Sequence, residues 1–314
     1  EICACLVGSE MCIRDRHGGT KFMNRCRWQI GADYAYRKRL TGQGGCIAFL
    51  DTGICAHPDF NGRIVGWKDF VHNRPSPYDD CGHGTHVAGI AAGDGSMSQG
   101  RFRGVAPGCS LVVLKVLDRL GNGSIAHLCR SVDWLLANQY RYHIRVVNIS
   151  LCSGLGKLHP EDSPFVKKIE SLWDAGMVVV AAAGNQGPGS YTIGAPGNSR
   201  RIITVGSRDS FIYTQTARQH FSGEGPTHNC ICKPDLIAPG ARVTSCHNGA
   251  KPYIARSGTS MSAPMVAGAI ALCLEAHPED TPKKIKIRLK QSSTDLHLPH
   301  YQQGWGFLSI RNLL

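Results

Sequence analysis

The chain has 314 residues, of which 42% are hydrophobic and 18% are charged, so it is long enough to bury a large core without a disulfide framework. Its 35 basic and 23 acidic residues give a net charge of +12, which raises nucleic-acid binding as a possible function. The densest basic stretch, residues 283–290, alternates basic and apolar residues, as a helix with a solvated face and a buried stripe does, and no nucleic-acid-binding module is recognisable. No apolar run approaches the length of a membrane span. We therefore expect neither nucleic acid nor a membrane as a partner.

The first residues are set apart from the rest of the chain. Residues 6–16 resemble a translated sequencing adapter, so residues 1–16 are expected to be a non-native segment and are left out of the fold prediction. Residues 17–314 contain neither a Pro/Gly-rich linker nor an internal repeat, which predicts a single domain. Because strand and helix patterns alternate along this domain, we expect a three-layer α/β/α fold with a mostly parallel central sheet.

The first predicted strand, residues 46–50, is a short continuous apolar run that is typical of a buried parallel strand. Asp51 follows it directly. Open α/β sheets place their functional sites outside the carboxyl ends of the strands, so Asp51 is a candidate site residue. Alone, its Asp-Thr-Gly motif could equally be a turn.

The His-Gly-Thr-His motif at 83–86 opens a stretch of small residues that predicts the first turns of a buried helix. His83 then lies near a helix N-terminus, and His86 lies one turn further on. Both imidazoles could hold zinc, but the glutamate base of a His-Glu-x-x-His motif is missing, which favours a structural His86. The preceding Asp79 and Asp80 could select basic substrate side chains, but we expect them to be merely solvated.

The middle of the chain continues the alternation. We expect strands at 110–117, 146–151, 177–182 and 202–205, and helices at 124–138, 163–175 and, near the end, 282–291. The strand at 177–182 leads to Asn185. An asparagine after glycine is a good turn former, and it is also a hydrogen-bond donor at the edge where Asp51 is expected.

Ser260 precedes an apolar, Ala- and Gly-rich stretch, 261–275, that predicts a helix with Pro264 in its first turn. A helix N-terminus favours negative charge, which suits an alkoxide. A serine hydroxyl is a poor nucleophile until an imidazole takes its proton, and the imidazole needs a carboxylate to hold its tautomer. Asp51, His83 and Ser260 supply these three groups, which together predict a serine protease.

These motifs occur in the order Asp, His, Ser. The chain therefore resembles the subtilisin-like serine proteases (subtilases, peptidase family S8), and its lack of large insertions is similar to the bacterial AprX-like intracellular subtilisins. The resemblance rests on the segments 49–53, 82–89, 181–185 and 258–264, and it extends over nearly the whole chain, from about residue 27 to about residue 309.

The resemblance implies roles for further residues. The Asn185 side chain and the Ser260 amide would bind the oxyanion of an acyl-transfer intermediate. A further set of residues would bind substrate, partly by pairing with its backbone and partly by lining a pocket for an apolar side chain. These residues are Gly121, Asn122, Gly123, Ser150, Leu151, Cys152, Ser153, Ala182, Ala183 and Gly184. Cys152 stands where these proteases commonly have glycine, so a thiol would slightly narrow the pocket. Asp59 matches a frequent calcium ligand, although two arginines in the partner loop 94–103 make calcium less favourable.

The fourteen cysteines indicate the compartment. Free thiols in predicted core elements, at Cys46, Cys109, Cys129 and Cys273, suit a reducing cytosol and predict a cytoplasmic protein. A set of three cysteines and two histidines in the C-terminal half of the chain could form a zinc site. Its spacing matches no familiar zinc motif, so free thiols are favoured. That set is His228, Cys230, Cys232, Cys246 and His247.

Together these observations predict a serine endopeptidase that acts on protein or peptide substrates and requires no cofactor. The alternative is a catalytically silent scaffold of the same fold that binds peptides without turnover. The intact set of Asp51, His83, Ser260 and Asn185 favours the enzyme.

Overall fold

The computed structural model describes residues 2–3, 23–155, 160–208, 211–213 and 218–314. The strands in these ranges are β1 (Ile2–Cys3), β2 (Cys46–Asp51), β3 (Ile64–Asp69), β4 (Ser110–Lys115), β5 (Asn122–Gly123), β6 (Ile144–Ile149), β7 (Ser153–Leu155), β8 (Val178–Ala182), β9 (Gly194–Ala195), β10 (Ile203–Ser207), β11 (Phe211–Tyr213), β12 (Arg218–His220), β13 (Leu236–Ala238), β14 (Val243–Cys246) and β15 (Tyr253–Arg256). The helices are α1 (Met23–Ile30), α2 (Ala32–Arg37), α3 (His83–Ala92), α4 (Ile125–Asn138), α5 (Pro164–Asp174), α6 (Thr259–Ala276), α7 (Pro282–Ser292), α8 (His300–Gln303) and α9 (Ile310–Leu313).

Seven strands form the central sheet in the order β13-β10-β8-β6-β2-β4-β3, and every neighbouring pair is parallel. β2 is an interior strand between β4 and β6, and its Leu50 is opposite Leu114 of β4 on one side and Ile149 of β6 on the other. From β2 the chain runs outward to β3 and then returns through β4 to β6 and β8, so the connections that leave the carboxyl ends of β2 and β6 run to opposite sides of the sheet. Such a switch point leaves a crevice in which an α/β protein can build a site.

Helices cover both faces of this sheet. In β2, Ile47 and Phe49 pack into a core that includes α3 and α6. The alternate residues Ala48 and Leu50 pack into a second core with α4 and α5. Because both faces are buried, the strand is apolar throughout rather than alternating. The predicted three-layer α/β/α fold with its parallel sheet is confirmed.

Helix α6 runs through the middle of the larger core. Its 18 residues are long and apolar enough to cross a membrane, although 89% of that stretch is buried inside the protein. The expectation that no apolar run reaches this length was therefore wrong. A helix that is surrounded on all sides by protein needs no polar face, which explains its composition.

The ends of α4, α5 and α7 lie within one residue of their predicted positions. The side chains of Ser124, Ser163 and Thr281 accept the capping hydrogen bonds of α4, α5 and α7. Strand β3 was not predicted, because Gly66 and several half-exposed residues break both the apolar run and a strict alternation. Strand β4 ends at Lys115, two residues before the predicted end.

Ten cysteines in the described ranges carry free thiols. Cys46, Cys109 and Cys273 are buried, as expected, whereas Cys129 is half-buried. Cys152, by contrast, is disulfide-bonded, so the prediction that it carries a free thiol was wrong. Residues 6–16, which resemble an adapter, lie outside the described ranges.

Candidate active site

Asp51 and His83 form a buried pair at the carboxyl edge of the sheet. Asp51 is the last residue of β2 and His83 is the first residue of α3. Nδ1 of His83 lies 2.7 Å from Oδ1 of Asp51, and the two side chains are 0% and 1% exposed. The contact holds the neutral imidazole with its proton on Nδ1, so Nε2 is the basic nitrogen. Nε2 has no hydrogen-bond partner within the described ranges.

Ser260 is the second residue of α6 and is 1% exposed. Its hydroxyl donates to the carbonyl of Ser150 at 3.0 Å, and the Ser150 hydroxyl donates to the carbonyl of Ser260 at 3.1 Å. The nucleophile candidate is therefore turned towards Ser150 rather than towards His83. Rotation about one side-chain bond would redirect Oγ, and catalytic hydrogen bonds are often unformed without substrate.

Pro264 explains the contact between Ser150 and Ser260. Because α6 begins at Thr259, two residues before the predicted start, Pro264 lies in the second helical turn and not in the first. Proline has no N–H, so the carbonyl of Ser260 lacks its usual donor four residues ahead. The Ser150 hydroxyl fills that place. Ser150, predicted to contact substrate, thus positions the start of the nucleophile helix.

The side-chain amide of Asn185 is held by Thr259. Its Oδ1 accepts from the N–H of Thr259 at 2.9 Å and from the Thr259 hydroxyl at 3.0 Å. The same hydroxyl accepts from the N–H of Gly184 at 3.2 Å. These bonds fix the plane of the Asn185 amide and make Nδ2 the donor that it presents. The N–H of Ser260 belongs to the first turn of α6, where no intrahelical acceptor exists.

Asp79 organises the turn that leads into His83. Its carboxylate accepts from the hydroxyls of Thr52 and Thr85 at 2.9 and 2.6 Å, and from the N–H groups of Gly82 and Thr85 at 2.7 and 2.9 Å. Burial alone would raise the pKa of Asp79, but the hydrogen bonds from Thr85, Gly82 and Thr52 outweigh it and lower the pKa below 3.8.

The expectation that Asp79 is solvated was wrong, because it is 8% exposed. Asp80 is exposed, but its carboxylate lies 2.7 Å from Nζ of the buried Lys115. Neither carboxylate is therefore simply solvated. A sequence does not show hydrogen-bond partners, so the role of Asp79 was not predicted. The hydroxyls of Thr52 and Thr85, which lie inside the Asp-Thr-Gly and His-Gly-Thr-His motifs, were the available signal for an acceptor shared by the two motifs.

We expect Asp79→Asn to lower the free energy of unfolding by about 2–4 kcal/mol, because an amide cannot accept from all four groups. The folded pKa is lowered, so this stabilisation is present above pH 3.8 and is lost as the pH falls below it. Denaturant unfolding at neutral and acidic pH measures both effects. Asp174→Asn, which removes an exposed carboxylate paired with Arg201, should cost less than about 1 kcal/mol. Equal losses for both variants would contradict the role of Asp79.

The predicted substrate residues fall on three neighbouring segments. Gly121 has φ +78° and ends a turn that leads into β5. The carboxylate of Asp118 in this turn accepts from the N–H of Asn122 at 2.9 Å. Leu151 and Cys152 follow β6 and are at most 2% exposed. The remaining members are Ser153 at the start of β7, Ala182 at the end of β8, Ala183, and Gly184, where a Cβ atom would lie 3.4 Å from Sγ of Cys152.

The structure separates the residues of two possible zinc sites. His86 is buried, and its Nε2 lies 3.1 Å from the carbonyls of both Val243 and Ile254, which supports the expected structural role. Burial lowers the pKa of His86 well below 6.5, which keeps it neutral. The second set is dispersed: Cys246 is buried, Cys230 and Cys232 are exposed, His228 stacks on Tyr191, and Nδ1 of His247 lies 3.0 Å from the carbonyl of Lys251.

Asp59 does not fit a calcium site. Calcium takes six to eight oxygen ligands, whereas hydrogen-bond donors surround this carboxylate. The hydroxyl of Tyr253 lies 2.9 Å from Oδ2, and the N–H of Met97 and the hydroxyl of Ser96 lie 3.1 and 3.3 Å from Oδ1. Loop 94–103, which the family resemblance pairs with Asp59 at a calcium site, supplies the N–H of Met97 to this carboxylate. The side chain of Arg103 in the same loop donates to the Asp94 carbonyl.

Comparison with known proteins identifies the family. Residues 42–306 match the model of the Subtilase family. The chain is 39% identical over 279 residues to Serine protease AprX of Bacillus subtilis (strain 168), covering 81% of this chain and 62% of that protein. It is 37% identical to Subtilisin Savinase of Lederbergia lenta, covering 85% and 90% of the two chains.

A solved structure supports the same assignment. The crystal structure of a cold adapted subtilisin-like serine proteinase matches with a TM-score of 0.69 and 29% identity, covering 86% of this chain and 90% of that one. The chain thus spans less than two thirds of AprX but nearly all of two other relatives. On the family match, the sequence identities and the shared fold, this chain belongs to the subtilase family of serine proteases.

Proposed function

We propose that this chain is an endopeptidase that cleaves peptide bonds through an acyl-enzyme intermediate. The observation that carries the proposal is the buried contact of 2.7 Å between Asp51 and His83, at the carboxyl edge of the sheet, together with Ser260 in the first turn of α6. A neutral imidazole with a carboxylate on Nδ1 is the arrangement that a serine nucleophile requires.

In the proposed reaction, Oγ of Ser260 attacks the peptide carbonyl and Nε2 of His83 takes its proton. Asp51 stabilises the resulting imidazolium. The tetrahedral oxyanion accepts hydrogen bonds from Nδ2 of Asn185 and from the N–H of Ser260. His83 then gives its proton to the departing amine, and water, activated by the same imidazole, releases the acyl group from Ser260.

We also propose that substrate binds as an added strand along β5 and places an apolar side chain towards Ala183 and Gly184. In support, β1 pairs antiparallel with β5, with Cys3 opposite Asn122, so the main chain of this edge can accept an extended segment. β1 also lies beside β7, the other edge proposed to hold substrate. Small residues at 183 and 184 leave room for a sizeable side chain.

The Asn185→Asp variant tests the oxyanion donor. Aspartate keeps an oxygen for the Thr259 contacts but has no N–H, so we expect kcat to fall by at least about 10²-fold with KM little changed. The size follows from about 2.7–4 kcal/mol for the corresponding donor of another subtilisin. Steady-state kinetics on a chromogenic peptide measures both constants. A rise in KM at unchanged kcat would show a binding role instead.

A fluorophosphonate probe tests the proposal as a whole. It reacts with an activated serine, so intact mass followed by peptide mapping should find one adduct, on Ser260. Absence of an adduct on demonstrably folded protein would contradict the endopeptidase and favour a scaffold that binds peptides without turnover.

A further inference from the structure

Three buried side chains outside the proposed catalytic set converge at one point. Nitrogen of His57, a carboxylate oxygen of Asp59 and Sγ of Cys246 all lie within 4.8 Å of one another. His57 and Asp59 belong to the turn that follows β2, and Cys246 ends β14. The cluster therefore joins the chain after Asp51 to the hairpin that precedes Ser260.

The carboxylate of Asp59 makes no direct ion pair with a lysine or arginine within the described ranges. Its side chain is 0% exposed, and its one charged-group contact is Nδ1 of His57 at 3.8 Å. The nearby guanidinium of Arg63 donates to the Asp59 carbonyl rather than to its carboxylate. The hydroxyls of Tyr253 and Ser96 and the N–H of Met97 donate to the carboxylate, but they add no positive charge. A carboxylate that is buried without a direct ion pair to a lysine or arginine favours an added cation.

The imidazole of His57 is oriented as a ligand would be. Nε2 lies 2.9 Å from the carbonyl of Pro252, which places the ring proton on Nε2 and the lone pair on Nδ1. Metal-binding histidines commonly have such a carbonyl behind them. Nδ1 accepts a hydrogen bond from the N–H of Asp59 at 3.2 Å and lies 3.8 Å from Oδ1 of Asp59, so a bound metal would replace that N–H bond.

The cluster is compact enough to close around a small tetrahedral ion. Zinc bonds to nitrogen, oxygen and sulfur place neighbouring ligand atoms about 3.3–3.7 Å apart. Nδ1 of His57 lies 3.8 Å from Oδ1 of Asp59, Sγ of Cys246 lies 3.6 Å from the other oxygen, Oδ2, and one ligand atom of each residue lies within 4.8 Å of the other two. Binding through a single oxygen of Asp59 would draw these atoms together by up to about 1.5 Å. A set of one nitrogen, one oxygen and one sulfur also suits zinc rather than calcium.

We propose that His57, Asp59 and Cys246 bind a zinc ion that ties the turn after β2 to the β14–β15 hairpin. Binding replaces the thiol proton of Cys246, which passes to solvent, and the ion neutralises Asp59. With three protein ligands, the fourth tetrahedral position would be filled by water. The role of the site is structural, because it lies on the segments that carry Asp51 and Ser260 and not on the reacting groups.

Cobalt(II) is the probe, because thiolate ligation gives a charge-transfer band and tetrahedral geometry gives visible bands. The full chain, stripped of metal, carries Cys230→Ser and Cys232→Ser to remove exposed thiols that would bind cobalt by themselves. We expect both bands to saturate at one equivalent, to persist with excess calcium and to disappear with zinc. Cys246→Ser should lose the charge-transfer band, and Cys273→Ser, which removes another buried thiol, should keep it.

Stability gives a second measurement without activity. Zinc should raise the midpoint of thermal unfolding of the parent by several degrees and leave His57→Gln unchanged. His57→Gln also covers the case in which Cys246→Ser does not fold, since it should weaken cobalt binding at least tenfold. Absence of both bands in folded parent protein, a charge-transfer band that survives Cys246→Ser, or displacement of cobalt by calcium would overturn the proposal.

Discussion

Ser260→Ala is expected to abolish peptide hydrolysis and fluorophosphonate labelling while the chain remains folded. The change removes the only atom that we propose to attack substrate, so kcat should fall by about 10⁶-fold, the loss seen for the nucleophile of another subtilisin. Stability should change little, because the Ser260 hydroxyl makes one hydrogen bond, to the carbonyl of Ser150, and such a bond contributes about 1 kcal/mol. Hydrolysis rates and thermal unfolding measure the two effects.

Ser262→Ala is the matched control for this variant. Ser262 lies two residues after Ser260 in α6 and is equally buried. Its hydroxyl donates to the carbonyls of Ala238 and Pro239 at 3.2 Å. Its loss should leave kcat within a few-fold of the parent. Hydrolysis that continues unchanged in Ser260→Ala would refute the acyl-enzyme mechanism.

The second large effect is expected from Asp51→Asn. An amide next to Nδ1 of His83 lacks the charge that stabilises imidazolium, and it favours the tautomer with the proton on Nε2, which cannot accept from serine. The corresponding change in another serine protease costs about 10⁴-fold in kcat. Because Asp51 is 0% exposed and contacts His83 rather than substrate, KM should change little.

Steady-state kinetics at neutral pH tests this prediction, with Asp174→Asn as a control for the removal of an exposed carboxylate. The control should retain full activity. A loss below about tenfold for Asp51→Asn would mean that His83 does not depend on this carboxylate, and the proposed mechanism would fail.

The sequence alone determined the main elements and the order of the motifs. Strand β2 is a continuous apolar run because both of its faces are covered, and α4, α5 and α7 carry side chains that cap their first turns. These are local signals, set by burial and by orphan N–H groups, so they can be read without the fold. The family resemblance rested on motifs of the same local kind.

Only the tertiary structure decided which distant groups meet. Ser150 and Ser260, which are 110 residues apart in the sequence, exchange hydrogen bonds. Asp79 accepts hydrogen bonds from two of the motifs, although it was expected to be a solvated acid. Cys246 reaches Asp59 across 187 residues, whereas the sequence grouped it with its neighbour His247. Hydrogen-bond partners and ligand clusters depend on how the sheet brings segments together, and no local pattern records that.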